Sequence, residues 1–365
     1  MSRLSNLWAH INGWLFPALE EELDPLTEKQ QEFVTVCELA QLDKHMGRYG
    51  CLRLGRKKAP RVDFAKAFVA KAVYDFATSK QLRERLVADK NLRRLCGWEF
   101  ACRVPSESSF SRVFDEFAAG GLGDLVHAAM VREHCGEKLA GHISRDATAV
   151  PAREKAAKPL KKETAEKPKR KRGRPKKGDL RVPPEPKRLD LQAGRSLEEN
   201  LADLPTGCDW GCKKNSQGKV EYWKGYKLHV DIIDSGIPVS ATLTSASTHD
   251  SQVAIPLAQM SAQRVKNLYD LMDAAYDAKA IEAFSRGLGH VPIIDRNGHG
   301  HETVPMDPAT ARRYDERTTA ERFNATLKDN HGGRHVRVRG ALKVKLHLMF
   351  GVIAITGVQL VRLLT

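Results

Sequence analysis

The spacing of apolar residues divides the chain into two regions of different secondary structure. In residues 1–135 apolar side chains recur every three or four positions, which is typical of amphipathic helices. The predicted helices cover residues 26–42, 62–76, 79–88, 91–96 and 103–117. Thr27 is expected to cap the first of them, with Glu28 in its first turn. The region is therefore predicted to be all-helical.

Further along the chain a period of two alternates with the helical period. The predicted strands cover 141–146, 222–233, 237–244, 267–272 and 290–294, and the predicted helices cover 251–262, 278–286 and 308–330. The second and third strands are expected to form a hairpin around the turn at 234–236. This order predicts an α/β fold in which a mixed sheet is flanked by helices.

Residues 346–364 form an apolar stretch that raises the question of a membrane span. Its uninterrupted apolar part is shorter than a bilayer requires, and it contains His347, Gln359 and Arg362. We therefore predict a buried helix that covers the sheet, and no membrane association.

The chain carries a net charge of +15, which indicates a polyanionic partner, most commonly nucleic acid. The excess is uneven, because 16 basic and five acidic residues lie between Arg153 and Arg188. Residues 154–190 have almost no large apolar side chains. They are predicted to form a disordered basic insert within the α/β region.

Within this insert, residues 169–177 read KRKRGRPKK. The Arg-Gly-Arg-Pro core resembles an AT-hook, in which Gly173 lets the backbone lie deep in a narrow minor groove while Arg172 and Arg174 follow its floor. The alternative is a solvated linker whose cations contact phosphates without sequence preference.

The helix predicted at 103–117 has an apolar face of Phe and Val residues and an opposite face that carries serines and Arg112. Short helices that end in such a helix resemble a helix-turn-helix unit, in which the last helix enters a major groove. Arg112 would then contact DNA. An ordinary helical bundle is the alternative.

Seven cysteines are scattered along the chain. Their odd number and the lack of a recognisable signal peptide predict reduced thiols in a cytosolic protein. Cys208 and Cys212 form a CxxxC pair upstream of His229, but no fourth residue stands at a suitable spacing. A zinc site is therefore not expected.

The helix predicted at 308–330 carries Tyr314, Arg317, Glu321 and Lys328, which are offset by 0, 3, 7 and 14 residues. At about 100° per residue they fall within roughly 60° of one another, so one stripe holds an aromatic hydroxyl, two cations and a carboxylate. Phe323 points to the opposite side and can pack on the sheet. The alternative is a charged outer face.

Three acidic residues are candidates for a catalytic metal site: Asp146 in SRDATAV, Asp273 in MDAAYDA, and Glu321. Each is expected at a strand end or on a helix face, and together they could hold two Mg²⁺ ions that cleave a phosphodiester. The competing aspartates are Asp231, Asp234, Asp250, Asp277 and Asp295. Asp250 is the strongest competitor, but a helix N-cap is the favoured interpretation. Its neighbour His249 could contact DNA or pack.

The spacing Tyr-x2-Arg-x3-Glu-x6-Lys resembles the Tyr-Arg-Glu-Lys signature of the DDE transposases of bacterial insertion sequences. SRDATAV is similar to the first Asp motif of that family, and MDAAYDA to the second, in which a Tyr follows the Asp by three residues. The resemblance covers most of residues 60–365 and implies a ribonuclease H-like core. The basic insert is less typical of the family.

The resemblance implies that Asp146, Asp273 and Glu321 hold two Mg²⁺ ions, for which Mn²⁺ can substitute. One ion would activate water or a 3′-hydroxyl, and the other would stabilise the departing 3′-oxygen.

It also implies that Tyr314, Arg317 and Lys328 hold phosphates near the cleaved end, with Tyr314 as a positioning group and not a nucleophile. A run of cations follows this helix and is expected to contact phosphates: Arg334, Arg337, Arg339, Lys343 and Lys345.

These features predict a DNA transposase with a helical DNA-binding domain at 1–135, a catalytic domain at 136–153 and 191–365, and the basic insert at 154–190. It would bind terminal inverted repeats in double-stranded DNA, cut at the element ends and join the 3′-ends to target DNA. A homodimer or higher assembly on DNA is expected, in the bacterial cytoplasm near the nucleoid. The alternatives are a metal-dependent endonuclease without strand transfer and a domesticated DNA-binding protein.

Overall fold

A computed structural model describes residues 3–49, 59–157, 186–214, 217–296, 298 and 305–364. The AT-hook-like motif, with Arg172 and Arg174, lies outside these residues. Within them the first third of the chain is helical and the remainder combines a six-stranded sheet with helices. The predicted α/β class and the helical N-terminal region are both found.

The helices of the first region are α1 (Arg3–His10), α2 (Phe16–Glu22), α3 (Glu28–Ala40), α4 (Arg61–Val73), α5 (Ser79–Ala88), α6 (Lys90–Leu95), α7 (Glu107–Ala119) and α8 (Leu122–Cys135). Thr27 caps α3 as predicted. Its hydroxyl accepts from the Gln30 amide at 3.3 Å, and the Gln30 side chain accepts from the Thr27 amide at 3.0 Å. This reciprocal pair satisfies amides that the helix itself leaves unbonded.

The apolar face of α7 packs against α4, as its pattern predicts. Phe110 lies edge-on to Phe64 with ring centroids 5.1 Å apart, and Phe117 contacts Phe68. These aromatic pairs fill the centre of the helical region, where all four side chains are buried. Arg112 is on the exposed side of α7.

The strands are β1 (Leu139–Pro151), β2 (Asp209–Lys214), β3 (Val220–Ile233), β4 (Pro238–Ser245), β5 (Lys266–Met272) and β6 (Val291–Ile294). β3 is antiparallel to β1 on one side and to β4 on the other, while β1, β5 and β6 are mutually parallel. The result is the predicted mixed sheet. β1 continues past the predicted end at residue 146, because residues 147–151 pair with residues 225–229 of β3.

β2 pairs with residues 220–225 of β3, which precede the part of β3 that lies between β1 and β4. The two strands therefore form a ribbon that extends beyond the sheet. Gly225 stands at the junction, where a Cβ atom would lie 2.1 Å from the carbonyl oxygen of Val150. No larger residue fits this close approach of two backbones.

The remaining helices are α9 (Arg188–Gln192), α10 (Leu197–Asp203), α11 (Ser251–Ala262), α12 (Lys279–Gly287), α13 (Pro308–Tyr314), α14 (Thr318–Asn330) and α15 (Ala341–Arg362). The single helix predicted at 308–330 is wrong in one respect, because a 3₁₀ turn, Asp315–Arg317, separates α13 from α14. α14 packs on one face of the sheet through Phe323 and Leu327. α11 and α12 contribute to a core on the other face.

The C-terminal helix α15 is shared by two cores. Phe350 and Ile353 pack with α3, α4, α7 and α8, while Leu348 and Val352 pack with the sheet and α14. Within the described ranges α15 alone is long and apolar enough to cross a membrane, but 78% of its most apolar window is buried. The prediction of a buried helix is therefore confirmed.

Candidate active site

Asp146 lies in the middle of β1 and not at the predicted strand end. It is paired with Val230 of β3, and paired residues of antiparallel strands share a face, so Asp146 points to the side of the sheet that α14 covers. Its Oδ2 accepts a hydrogen bond from Asn324 Nδ2 of α14 at 2.9 Å. The strand and the helix thus fix this carboxylate together.

Asp273 follows the last residue of β5, as predicted. β5 is parallel to β1, and Arg145 is opposite Met272, so Asp273 emerges beside Asp146. Its Oδ1 accepts from the Ala275 amide at 2.9 Å and caps a short 3₁₀ turn, Ala274–Tyr276. This cap holds the carboxylate at the carboxyl end of β5.

Glu321 lies in the first turn of α14, and its side chain is 56% exposed. Its Oε1 lies 2.6 Å from Nη2 of Arg317, whose Nη1 is 3.8 Å from Asp146 Oδ1. One guanidinium therefore faces two of the three predicted metal ligands. Arg317 also lies over the ring of Tyr314, with its Cζ 5.9 Å from the centroid.

Burial raises the pKa of Asp146 to about 6, and the negative charges of Asp273 and Asp250 act in the same direction. The Ala147 amide and the Arg317 guanidinium oppose this rise. The ionised form of Asp146 is thus disfavoured because a buried carboxylate stands near like charges.

The pKa of Asp273 is also raised, first by burial and then by the charges of Asp250 and Asp295. The Ala275 amide and Arg317 lower it. Asp146 and Asp273 therefore belong to one acidic group whose charge is only partly balanced by Arg317.

The donor chemistry of this group fits a divalent cation. Carboxylate oxygens are ligands that Mg²⁺ prefers, and a cation would favour the ionised forms of Asp146 and Asp273. The amide oxygen of Asn324, beside Asp146, is buried without a hydrogen-bond partner. In the described ranges, however, no three His, Cys, Asp or Glu side chains are close enough to hold a metal. Glu321 is turned to Arg317 and not to the other two carboxylates.

Asp250 corrects one prediction, because its carboxylate does not cap α11. Asp250 Oδ1 instead lies 2.9 Å from Nζ of Lys227, which also donates to the Thr248 carbonyl at 3.0 Å. The N-cap interpretation is wrong since Lys227, a half-buried lysine from β3, competes for the carboxylate. Asp250 therefore adds negative charge beside Asp146 and Asp273.

Three of the other competing aspartates are held by partners away from that group. Asp231 is buried against Arg145, Asp234 accepts from the Gly141 amide at 2.9 Å, and Asp277 lies 2.7 Å from Arg296. Asp295 is exposed after β6 and acts on the pKa of Asp273 through its charge.

Two family models match the chain. The one described as the transposase DDE domain matches residues 137–356, and the one described as a transposase domain (DUF772) matches residues 19–116. The first covers more than half of the chain. The chain belongs to the DDE transposase family. No curated protein and no solved structure matches the transposase. The predicted resemblance is confirmed, and the mixed sheet agrees with a ribonuclease H-like core.

The predicted stripe of the transposase is spread over α13, the 3₁₀ turn and α14. Burial raises the pKa of Tyr314 to about 12, so its hydroxyl stays protonated at neutral pH. Lys328 is half-buried at the far end of α14. Asn324 was missed, although its position three residues after Glu321 places it near the same face, and a helical projection that included amides would have found it.

The cations that follow α14 differ in their surroundings. Arg337 and Arg339 are exposed, while Val336, which precedes them, is buried. Arg334 is exposed and pairs with Asp329. Their exposed positions leave them accessible to a partner.

The next two cations are bound within the protein. Lys343 Nζ lies 2.7 Å from Asp115, and Lys345 Nζ lies 2.9 Å from Asp124, so α15 is tied to α7 and α8. Arg112 bonds within α7, to the Ser108 carbonyl at 3.2 Å.

The cysteine pair of the transposase has one buried member, Cys208, and one exposed member, Cys212. His229 is directed to Thr244, with Nε2 2.8 Å from the hydroxyl oxygen. His249 bonds to Ser251, with Nδ1 2.8 Å from the hydroxyl oxygen. Both histidines thus have local partners.

Proposed function

We propose that this transposase binds the terminal inverted repeats of its element, cuts at the ends, and joins the 3′-ends to target DNA by divalent-metal phosphoryl transfer. One observation supports this most strongly. Asp146 on β1 and Asp273 after β5 form one acidic group directly beside Arg317 and Glu321. Family membership indicates a DNA-processing enzyme, and such enzymes typically use a divalent metal.

Asp146, Asp273 and Glu321 would hold Mg²⁺, or Mn²⁺ in its place. The bound metal would activate the attacking oxygen and stabilise the departing one. Arg317 is the present counter-charge of Asp146 and Glu321. A DNA phosphate is an alternative bidentate partner for its guanidinium, so phosphate binding would release Glu321 toward the other carboxylates.

The remaining cations would bind DNA phosphates, which are the same in DNA of any sequence. Lys328 would act as a point charge for phosphates near the cleaved end, and protonated Tyr314 would donate a hydrogen bond there. Arg334, Arg337 and Arg339 are exposed on the segment that follows α14 and would extend this contact. No covalent intermediate with Tyr314 is proposed.

Recognition of the element ends is assigned to the domain at 1–135, including Arg112, and to the insert at 154–190, including Arg172 and Arg174. The catalytic domain would comprise 136–153 and 191–365. Joining two ends at once requires a homodimer or a higher assembly on double-stranded DNA. The transposase would act on the bacterial nucleoid in the cytoplasm.

The test is Mg²⁺-dependent cleavage and joining of a labelled DNA that carries the element's own end, compared between the wild type and Glu321→Gln. This substitution keeps the side-chain shape and removes the charge. Glu316→Gln is the matched control, because Glu316 is an exposed glutamate just ahead of α14. We expect Glu321→Gln to bind DNA and neither cut nor join, and Glu316→Gln to do both.

The outcomes separate the alternatives. If the wild type cuts but never joins a pre-cleaved end, the protein is an endonuclease. If it binds the end but does neither, it is a non-catalytic DNA-binding protein. If Glu321→Gln is as active as the wild type, the assignment of Glu321 as a metal ligand is wrong.

A further inference from the structure

The ribbon formed by β2 and the start of β3 presents two aromatic side chains to solvent. Trp210 is opposite Lys224, and Cys212 is opposite Tyr222. Because cross-strand partners share a face and side chains alternate along a strand, these four residues lie on one side, here called the ribbon face. Trp210 is 61% exposed and Tyr222 is 72% exposed.

Such exposure is unusual for large aromatic residues. Among the described residues, four large aromatic side chains are exposed, and two of them are on the ribbon face. The others, Trp14 and Phe100, lie in the helical region. Grouped exposed apolar side chains mark surfaces that bind a partner.

Positive charge identifies the kind of partner. Lys224 is on the ribbon face itself. Lys213 extends from the other side of β2, where its side chain is 55% exposed and its Nζ lies 3.8 Å from Glu221. The pKa of Lys328 is lowered first by burial and then by the positive charges of Lys213 and Arg334. The positive charge of the ribbon therefore acts on the end of α14. Cations from both elements lie near one another, which suits an anionic ligand.

We propose that the ribbon face binds a DNA strand whose bases are unpaired, with Trp210 and Tyr222 stacking on the bases and Lys224 near the phosphates. Every base has a face on which an aromatic ring can stack, so such binding tolerates any sequence. The proposal rests on the proposed function, since the strand would be one exposed at a cut element end. A second copy of the chain is a less suitable occupant, because lysines are depleted from protein interfaces.

The test compares full-length wild type with the double variant Trp210→Ala/Tyr222→Ala. Fluorescence anisotropy would measure the affinity for a labelled mixed-sequence single strand and for the blunt duplex of the same sequence. We expect the double variant to lose about tenfold or more in affinity for the single strand, and less than about twofold for the duplex. Val291→Ala is the control, because Val291 is 52% exposed on β6, at the far edge of the sheet. It should change neither affinity.

Cys212 provides a second readout that needs no loss of binding. Cys212 and Cys102 are both exposed thiols, one on the ribbon face and the other in the helical region. The single strand should slow alkylation of Cys212 in the wild type and leave Cys102 unaffected. Thermal unfolding of the double variant would establish that it folds.

Three results would overturn the proposal: equal losses for single strand and duplex, unchanged alkylation of Cys212, or a changed sedimentation coefficient in the double variant with unchanged DNA affinity. The last would mean that the ribbon face joins two copies. If the wild type cuts and joins DNA while the double variant binds the single strand normally, this inference fails alone. If the ribbon binds as expected but the wild type neither cuts nor joins, the proposed function fails alone.

Discussion

Arg145 and Asp146 are neighbours in β1, yet they belong to two opposite environments. On one face of the sheet, Arg145 forms two hydrogen bonds of 2.8 Å to Asp231, and Ser261 donates to the same carboxylate at 2.6 Å. On the other face, Asp146 has two amide partners, the Asn324 side chain and the Ala147 backbone, and a guanidinium 3.8 Å away. The first charge is fully paired, while the second is buried with weak compensation.

This difference separates a structural ion pair from a candidate site. A closed bidentate pair has no capacity for a ligand, and its bonds hold β1 to β3 and α11. A group of buried carboxylates whose pKa values are raised retains an unmet preference for positive charge, which is common in functional sites. Because side chains alternate between the two faces along a strand, neighbouring residues of β1 can belong to the ion pair on one face and to the candidate site on the other.

The largest effect is expected when the closed pair is broken. Asp231→Asn leaves the Arg145 charge buried without its counter-charge, and we expect the free energy of unfolding to fall by about 3–5 kcal/mol. Denaturant titration would measure it, with exposed Asp295→Asn as the control. Replacing both partners, as Arg145→Met with Asp231→Leu, should restore much of the loss. A cost for Asp231→Asn similar to that of the control would contradict the comparison.

A smaller effect of opposite sign is expected for Asp146→Asn. The pKa of Asp146 is about 6 in the folded protein and about 3.9 in an unfolded chain, so the folded state binds the proton more tightly. The stabilisation that comes from this tighter proton binding is thus complete below about pH 4 and is lost as the pH rises through 6. We expect the variant to match the wild type at pH 4 and to be more stable by about 1–3 kcal/mol at pH 7 in EDTA.

Denaturant titrations at a series of pH values would check this prediction. Mg²⁺ at pH 7 should raise the stability of the wild type and not that of Asp146→Asn. Parallel stability curves from pH 4 to 7 would show that Asp146 is not buried with an unfavourable charge.

The smallest effect concerns the exposed ion pair between α15 and α7. The side chains of Lys343 and Asp115 are 40% and 47% exposed, so solvent screens their attraction. Lys343→Gln should lower the free energy of unfolding by less than about 1 kcal/mol and leave DNA affinity unchanged. Lys328→Gln, measured in parallel, should weaken DNA binding. A large loss of affinity in Lys343→Gln would return Lys343 to the DNA-contacting cations.

Helices and strands with a clear local sequence pattern were predicted correctly. α5 and α11 begin and end at the predicted residues 79–88 and 251–262, and β5 ends at Met272, directly before Asp273, as expected. β2 was missed because DWGCKK has no regular alternation, and its pairing with β3 stabilises it. The 3₁₀ turn at Asp315–Arg317 was missed because the sequence there continues a helical pattern.

The site was predictable only as far as its residues lie close in sequence or in a recognised motif. The contacts among Arg317, Glu321 and Tyr314 follow from helical spacing. The pairing of Asp231 with Arg145 spans 86 residues and depends on strand register, and the hydrogen bond from Asn324 to Asp146 spans 178. Such long-range partners are fixed by packing and leave no local pattern.

The position of α15 has a consequence for biosynthesis. Because α15 completes the core of the first helices and also covers the sheet, a nascent chain that lacks it exposes apolar surface on both regions. Neither region can reach its final packing before residues 341–362 have been synthesised. Premature termination upstream of Ala341 would therefore yield a polypeptide that is prone to aggregation.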